Sequence, residues 1–318
     1  SGSNNNQERI GIASIYSLEP SNQLATRQTV QVAVAGGVVR KFTDAEWIDI
    51  TNSTNIGSPP LDKSVPVIFS ASLGGKLFFA DGRDIKYYDP NDPQPHGSLK
   101  TWALDDGTLP VSTRDGVTGE MRPRLIEEWR GRIVMSGLST DPQEWYMSKV
   151  GDAFDWEQAP TVLTETTATS GTNAPAGKMP DIITGMIPIS DDVLVFGGDH
   201  TIWMLSGDPM QGGRWDLMTD TIGMAWGRAW CRDNGQGFYM MGSKGGVYYG
   251  AIGQGVKKVS AGLIDERLSD IDLSAHLVRF LWNEKEQGVH IFITPREVLL
   301  NSGGWISLRI KTITPRLF

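Results

Sequence analysis

Residues 191–207 read DDVLVFGGDHTIWMLSG. Asp191-Asp192 makes a polar turn and Val193–Phe196 a short apolar run. Gly197-Gly198-Asp199 makes a tight turn, and Thr201–Leu205 is a second apolar run. Two such runs, rich in Val, Ile, Trp and Leu and split by Gly and Asp, read as a β-hairpin. The same phrase recurs as VQVAVAGGVVRKF from Val30, KLFFADGRDIKYYD from Lys76 and RIVMSGLSTDPQEWYMS from Arg132. It returns as GFYMMGSKGGVYYG from Gly237 and VHIFITPREVLLN from Val289. Aligned on an early apolar residue, the copies fall at Val32, Leu77, Ile133, Val193, Phe238 and Val289, in steps of 45, 56, 60, 45 and 51 residues. A strand-built repeat of this period implies an all-β β-propeller, with one four-stranded sheet per blade. Six blades are expected, or seven if one departs from the pattern. The competing all-β arrangement is a pair of β-sandwiches.

Composition agrees with many tight turns. Glycine supplies 37 of 318 residues, above the usual share of about 7%. The net charge of −8 and the absence of any basic run longer than Arg40-Lys41 or Lys257-Lys258 argue against a nucleic-acid surface. No apolar run approaches the ~20 residues of a membrane span, and the polar opening SGSNNNQER carries no signal-peptide pattern. The chain opens without Met, as a processed or partial chain would. The single cysteine, Cys231, excludes an intrachain disulfide and reads as a buried, inert thiol on an inner strand.

Residues 1–8 are expected to be mobile, residues 9–308 to form one propeller, and residues 309–318 to be a tail. Blades are expected near 10–51, 66–104, 122–158, 181–221, 227–261 and 277–308, with a helical turn or two within 261–273. The third blade is expected to take strands at Arg124–Trp129, Ile133–Ser136 and Trp145–Ser148, with Phe154-Asp155-Trp156 after a turn. Two long connections stand out, 105–121 and the Thr-rich, almost uncharged 161–178. Neither has the apolar content to fold alone, and at least one is expected to order against a neighbouring subunit.

No catalytic, cofactor-binding or metal site is expected. His96, His200, His276 and His290 have no metal-ligand spacing. The glycine-rich GGVYYGAIGQG at 245–255 lacks the following helix that would aim N–H groups at a phosphate. Four acidic pairs are candidate glycosidase carboxylates: Asp105-Asp106, Glu127-Glu128, Asp191-Asp192 and Asp265-Glu266. Strand neighbours point to opposite faces, so none forms a catalytic pair by itself. Glu127 and Glu128 sit on an axis-lining strand and are read as channel lining. Arg124, Arg228 and Arg279 are candidates to enter the central mouth. SKVGDAFDW at 148–156 approaches the Asp-box turn of sialidases without its Asp and Gly order. Of the 11 tryptophans, Trp47, Trp102, Trp156, Trp215 and Trp305 fall near blade ends, which points to packing between blades; a sugar-binding platform is the sharper alternative.

Three stretches, GRIVMSGLSTDPQEWYMSKVGDAFDWE (131–157), DDVLVFGGDHTIWMLSGDPMQGG (191–213) and 227–268, resemble the propeller part of tailed-bacteriophage virion proteins. The likeness is to the tail nozzle, or tail tubular, proteins of short-tailed phages. It covers roughly 120–270, with weaker echoes at 28–50 and 65–105. It implies a non-enzymatic structural role in the virion tail, a homo-oligomeric ring, and contacts with neighbouring tail or neck proteins. The chain is shorter than those proteins, which carry further platform and fibre-dock regions. The alternative function is a propeller that binds or cleaves carbohydrate at a host-contact surface.

Overall fold

The computed structural model describes residues 14–18, 30–35, 37–43, 46–50, 61, 68–82, 85–93, 96–102, 112–114, 117–119, 123–235, 237–261, 265–295 and 310–313. Five four-stranded antiparallel sheets and one three-stranded sheet follow one another along the chain, each a simple meander. The first blade is Ser14–Leu18, Val30–Ala35, Val38–Phe42 and Trp47–Asp49. The second is Phe69–Leu73, Lys76–Ala80, Ile85–Asp89 and Ser98–Thr101. The third is Leu125–Trp129, Arg132–Ser136, Trp145–Met147 and Thr169–Ser170. The fourth is Ile183–Ser190, Val193–Gly198, Ile202–Ser206 and Arg214–Thr219. The fifth is Trp230–Arg232, Gly237–Met241, Val247–Ala251 and Gly255–Lys258. The sixth is His276–Asn283, Gly288–Pro295 and Ile310–Ile313. This is a six-bladed β-propeller. All six aligned residues, from Val32 to Val289, lie on the second strand of their blade.

The uneven period has two local causes. The step of 56 residues contains an inserted hairpin, Ser112–Arg114 with Val117–Gly119. The step of 60 contains an excursion between the third blade's third and fourth strands. A single helical turn, Asp265–Ser269, joins the last two blades as expected.

Alternation along the strands sorts side chains between neighbouring blades rather than between core and solvent. On the fourth blade, Leu194 and Phe196 pack into the cluster shared with the second and third blades. Val193 and Val195 pack with Phe238 and Met240 of the fifth. On the fifth, Tyr239 and Met241 turn the other way, onto Val278, Phe280, Val289 and Ile291 of the sixth. On the second, Leu77 and Phe79 meet Val32, Val34 and Val39 of the first, while Phe78 joins the third-blade side. Val193–Gly198 is therefore buried along its whole length. Val193, Val195 and Leu205 are buried as the hairpin reading requires, whereas Trp203 is only half-buried.

Three expectations need correction. The fourth strand of the third blade is Thr169–Ser170, inside the stretch read as a loop, and not Phe154-Asp155-Trp156. Much of that stretch folds onto its own blade, with Thr167–Ser170 and Ala174 buried, while 161–165 stays exposed, Val162 at 71% and Leu163 at 61%. The tail read from 309 contains Ile310–Ile313, which pairs with Gly288–Pro295. Of 105–121, only the hairpin lies within the described residues; residues 1–8 lie outside them.

Two buried charged side chains explain why 161–178 is held. Arg132, fully buried, donates from Nη1 to the carbonyls of Ser148 at 2.8 Å and Thr167 at 2.7 Å, and from Nη2 to that of Glu165. Glu144, also fully buried, accepts from the N–H of Thr172, the Thr172 hydroxyl and the N–H of Trp145. Lys178 Nζ lies 3.2 Å from Oε2, the same oxygen that takes the Thr172 hydroxyl. A buried charge is tolerated only when paired or hydrogen-bonded, so these two side chains fix the course of a segment with little apolar content.

Candidate functional site

First strands of the second to sixth blades and the turns beside them line a cavity of about 730 Å³. The second blade contributes Ser70 and Ser72, the third Glu127 and Glu128, the fifth Arg228, Trp230 and Arg232, and the sixth Arg279 and Trp282. Of the three arginines expected at the mouth, Arg228 and Arg279 line it. Arg124 stays outside, exposed at the start of the third blade. Arg232 also lines the mouth, at the end of the short strand Trp230–Arg232 that follows the turn holding Arg228.

The centre of the mouth is an ion pair between blades. Arg228 donates from Nε and Nη2 to the two carboxylate oxygens of Glu127, at 2.7 and 2.9 Å. Its Nη2 also reaches the Ser70 carbonyl at 2.6 Å. Three blades are thus joined through one guanidinium, whose planar fork suits a bidentate carboxylate. The cation also lies 6.0 Å from the Phe69 ring centre. Burial pushes the Glu127 carboxyl above its ordinary range, with Arg228 pulling the other way. Beside it, Gly227 has φ +89°, and a Cβ there would stand 2.5 Å from the Phe69 ring. Only glycine permits this close approach of the fifth blade to the second.

The other carboxylates are engaged locally. Glu128 accepts from the N–H of Gly131 at 2.9 Å within its own turn. Asp233 accepts from the N–H groups of Gly235 and Gly237 and from the Tyr249 hydroxyl. Asp192 bonds Arg130, and Asp265 bonds Lys258 and Ser260; Asp105-Asp106 and the Glu266 side chain lie outside the described residues. Burial and the nearby Asp233 push the Cys231 thiol up to about 12.

The histidines are scattered. His96 uses its backbone carbonyl to hold Tyr88, His200 is largely exposed, His276 bonds the Asp272 carbonyl, and His290 bonds Asn283 and Glu286. No group of three potential metal ligands occurs among the described residues. The Asp-box-like SKVGDAFDW is a stitched turn. Asp152 accepts from Phe154 N–H, Asp155 accepts from Glu157 N–H, and Lys149 pairs with Asp155 at 2.7 Å. Its Trp156 packs against Trp102 of the second blade, and both indoles donate to the Ala153 carbonyl. Trp215 packs edge-on to Phe196 within the fourth blade and donates to the Gly177 carbonyl of the third blade's long excursion, and Trp47 packs on Phe42. Trp305 lies outside the described residues. Aromatic rings at the mouth are instead Trp230, Phe280 and Trp282, the last stacked on Tyr239.

No family model and no curated protein matches the chain. Among solved structures, it is similar to Kluyveromyces lactis Hsv2, at 10% identity over 86% of this chain and 76% of that one, with TM-score 0.45. It is similar to BBS1N, solved in complex with ARL6DN, at 10% identity over 89% and 75%, with TM-score 0.48. It is also similar to the computationally designed Ika8 protein, at 13% identity over 89% and 71%, with TM-score 0.45. At these scores the class rests on the strand order itself: a six-bladed propeller with a bonded axial mouth. No helix among the described residues is long and apolar enough to cross a membrane.

Proposed function

We propose that this chain is a structural and interaction propeller of a tailed bacteriophage, placed in the tail or neck of the virion and acting through assembly contacts rather than catalysis. One observation carries this reading: the acids of the axial mouth are used as fasteners. Glu127 spends both oxygens on Arg228, and Glu128 and Asp233 are bonded into their own turns. A glycosidase instead needs one carboxyl poised to give a proton and a second placed to act on the sugar or a water. The resemblance of residues 120–270 to tail nozzle proteins supports the virion setting, with a homo-oligomeric ring and neighbouring tail or neck proteins as partners. Electron microscopy of the source particle with an antibody to this chain is the test. Label at the tail or neck is expected; purified virions that lack the chain would overturn the reading.

A second reading has its own observation. Trp230 and Trp282 line the mouth beside Ser70, Ser72, Arg232 and Arg279, a mixture of aromatic faces and polar groups that suits a host-surface glycan. Glycan-array binding lost in Trp282→Ala would favour this reading over a purely structural one.

A further inference from the structure

The mouth has more spare donors than spare acceptors. Its acids are engaged. Glu127 gives both oxygens to Arg228, Glu128 takes the Gly131 N–H, and Asp233 takes two backbone N–H groups and the Tyr249 hydroxyl. Arg232, by contrast, is exposed and bonds only through Nη1, to the carbonyls of Pro188 at 2.9 Å and Ile189 at 3.4 Å. Both partners are neutral, and no carboxylate among the described residues pairs with it. The guanidinium is thus fixed in place with its charge and its other N–H groups unspent. The indole N–H groups of Trp230 and Trp282 are buried and meet no acceptor, although both residues line the cavity. Trp230 stands two residues from Arg232 on one strand and packs against the cluster that holds Ile187 and Ile189. Arg232 bonds the backbone of the same segment. Buried polar groups are nearly always hydrogen-bonded, so two orphan donors in one cavity mark a place where an acceptor is missing.

We propose that this cavity binds an acidic saccharide, with Arg232 and the Trp230 indole N–H taking its carboxylate. The inference rests on the glycan reading above and narrows it to sugars that carry a negative charge. Spare donors without spare acceptors select an acceptor-rich anion over a neutral sugar, whose hydroxyls both donate and accept. The planar fork of arginine suits a carboxylate, and Nε and Nη2 of Arg232 have no acceptor among the described residues. Because Arg228 neutralises Glu127, that carboxylate offers an incoming anion little repulsion. The volume of about 730 Å³ falls within the roughly 300–1,000 Å³ of small-molecule sites. The rings of Trp230, Phe280 and Trp282 supply flat apolar faces for a pyranose, and Ser70 and Ser72 of the second blade supply partners for its hydroxyls.

The full chain is tested on an array of uronate- and sialate-bearing oligosaccharides beside the same oligosaccharides after carboxyl reduction. Affinities for the best acidic member are then measured by calorimetry. Binding confined to the acidic set is expected. Arg232→Gln should weaken it by about 10–100-fold, the worth of a charge-assisted hydrogen bond, and Arg232→Lys, which keeps the charge and loses the fork, should recover part of the loss. Trp230→Phe keeps an aromatic face and removes the N–H, and should weaken the acidic ligand as well. Arg232→Gln also loosens a contact with the fourth blade, so its melting temperature is read alongside; if it does not fold, Arg232→Lys decides, and a wild-type affinity in that variant overturns the site. Equal binding of the acidic and carboxyl-reduced sets, or a folded Arg232→Gln that binds like the wild type, overturns this inference and leaves the glycan reading standing. Binding to neither set overturns both. A polyglutamate peptide bound as tightly as the acidic sugars overturns the saccharide assignment in favour of an acidic polypeptide.

Discussion

Arg228 of the fifth blade holds both carboxylate oxygens of Glu127 of the third, 101 residues away in sequence, and the Ser70 carbonyl of the second. Methionine at 228 keeps much of the volume but strands a buried carboxylate. Breaking a buried pair this way costs about 3–5 kcal/mol, and because Arg228 is partly solvated we expect roughly 2–4. The pH dependence has a definite sign. Burial already raises the folded-state pKa of Glu127, and without Arg228 it rises further. A carboxyl with a raised folded pKa favours folding below its unfolded value and loses that contribution as pH rises through the folded one. The deficit of Arg228→Met should therefore be largest at neutral pH and shrink toward acid. Urea melts of variant and wild type across pH measure this; a deficit independent of pH contradicts it.

Gly227→Ala tests the neighbouring contact. Left-handed backbone at a residue with a Cβ costs roughly 1–2 kcal/mol, and the new methyl would meet Phe69 at 2.5 Å. The combined loss should exceed the backbone term alone. Phe69→Leu in the same chain should return part of it, because a smaller side chain relieves the collision and leaves the dihedral strain. A double-mutant cycle with no coupling between 227 and 69 would contradict the close approach.

Cys231 should be inert while the protein is folded. With its pKa pushed up to about 12, the thiolate fraction at pH 8 is on the order of 10⁻⁴. An aromatic disulfide reagent should label it only on the timescale of unfolding, and rapidly in denaturant. Fast labelling of the native chain would show that the thiol is reachable.

Much of this was legible in sequence, for a physical reason. A hairpin with a Gly- or Asp-bearing turn and apolar strands is a local signal, so Leu77, Ile133 and Phe238 mark their second strands correctly. Thr169–Ser170 was not legible: two small polar residues have no period, and their place is set by Arg132 and Glu144, distant in sequence. An arginine opening the apolar strand RIVMS was the available clue, since a charge at such a position needs carbonyl partners. Glu127 and Arg228 were each placed at the mouth, but their pairing depends on how the ring brings the blades together, which no local pattern encodes. Arg232 is on the strand Trp230–Arg232 while Arg228 is in the turn before it, so no single periodic pattern in the sequence ties the two to one mouth.

The same lesson sets the final prediction, on the excursion 161–178. If it were a loose loop, replacing 163–176 by a Gly-Ser linker would cost little, since loop length itself enters only logarithmically. Here the replacement removes the Thr169–Ser170 strand, two carbonyl partners of Arg132 and both Thr172 donors to Glu144. Two buried charges are left underbonded, and Ala168 and Ala174 leave the core. A loss of several kcal/mol is expected. A milder variant separates this from general damage. Thr172→Val removes one of the donors to Glu144 Oε2 and leaves Lys178 on it, so it should loosen the segment alone, by about 1 kcal/mol for one lost hydrogen bond, raising hydrogen exchange and proteolysis around 165–178 before the fourth and fifth blades respond. A linker variant that melts like the parent would show that the third blade stands without the excursion.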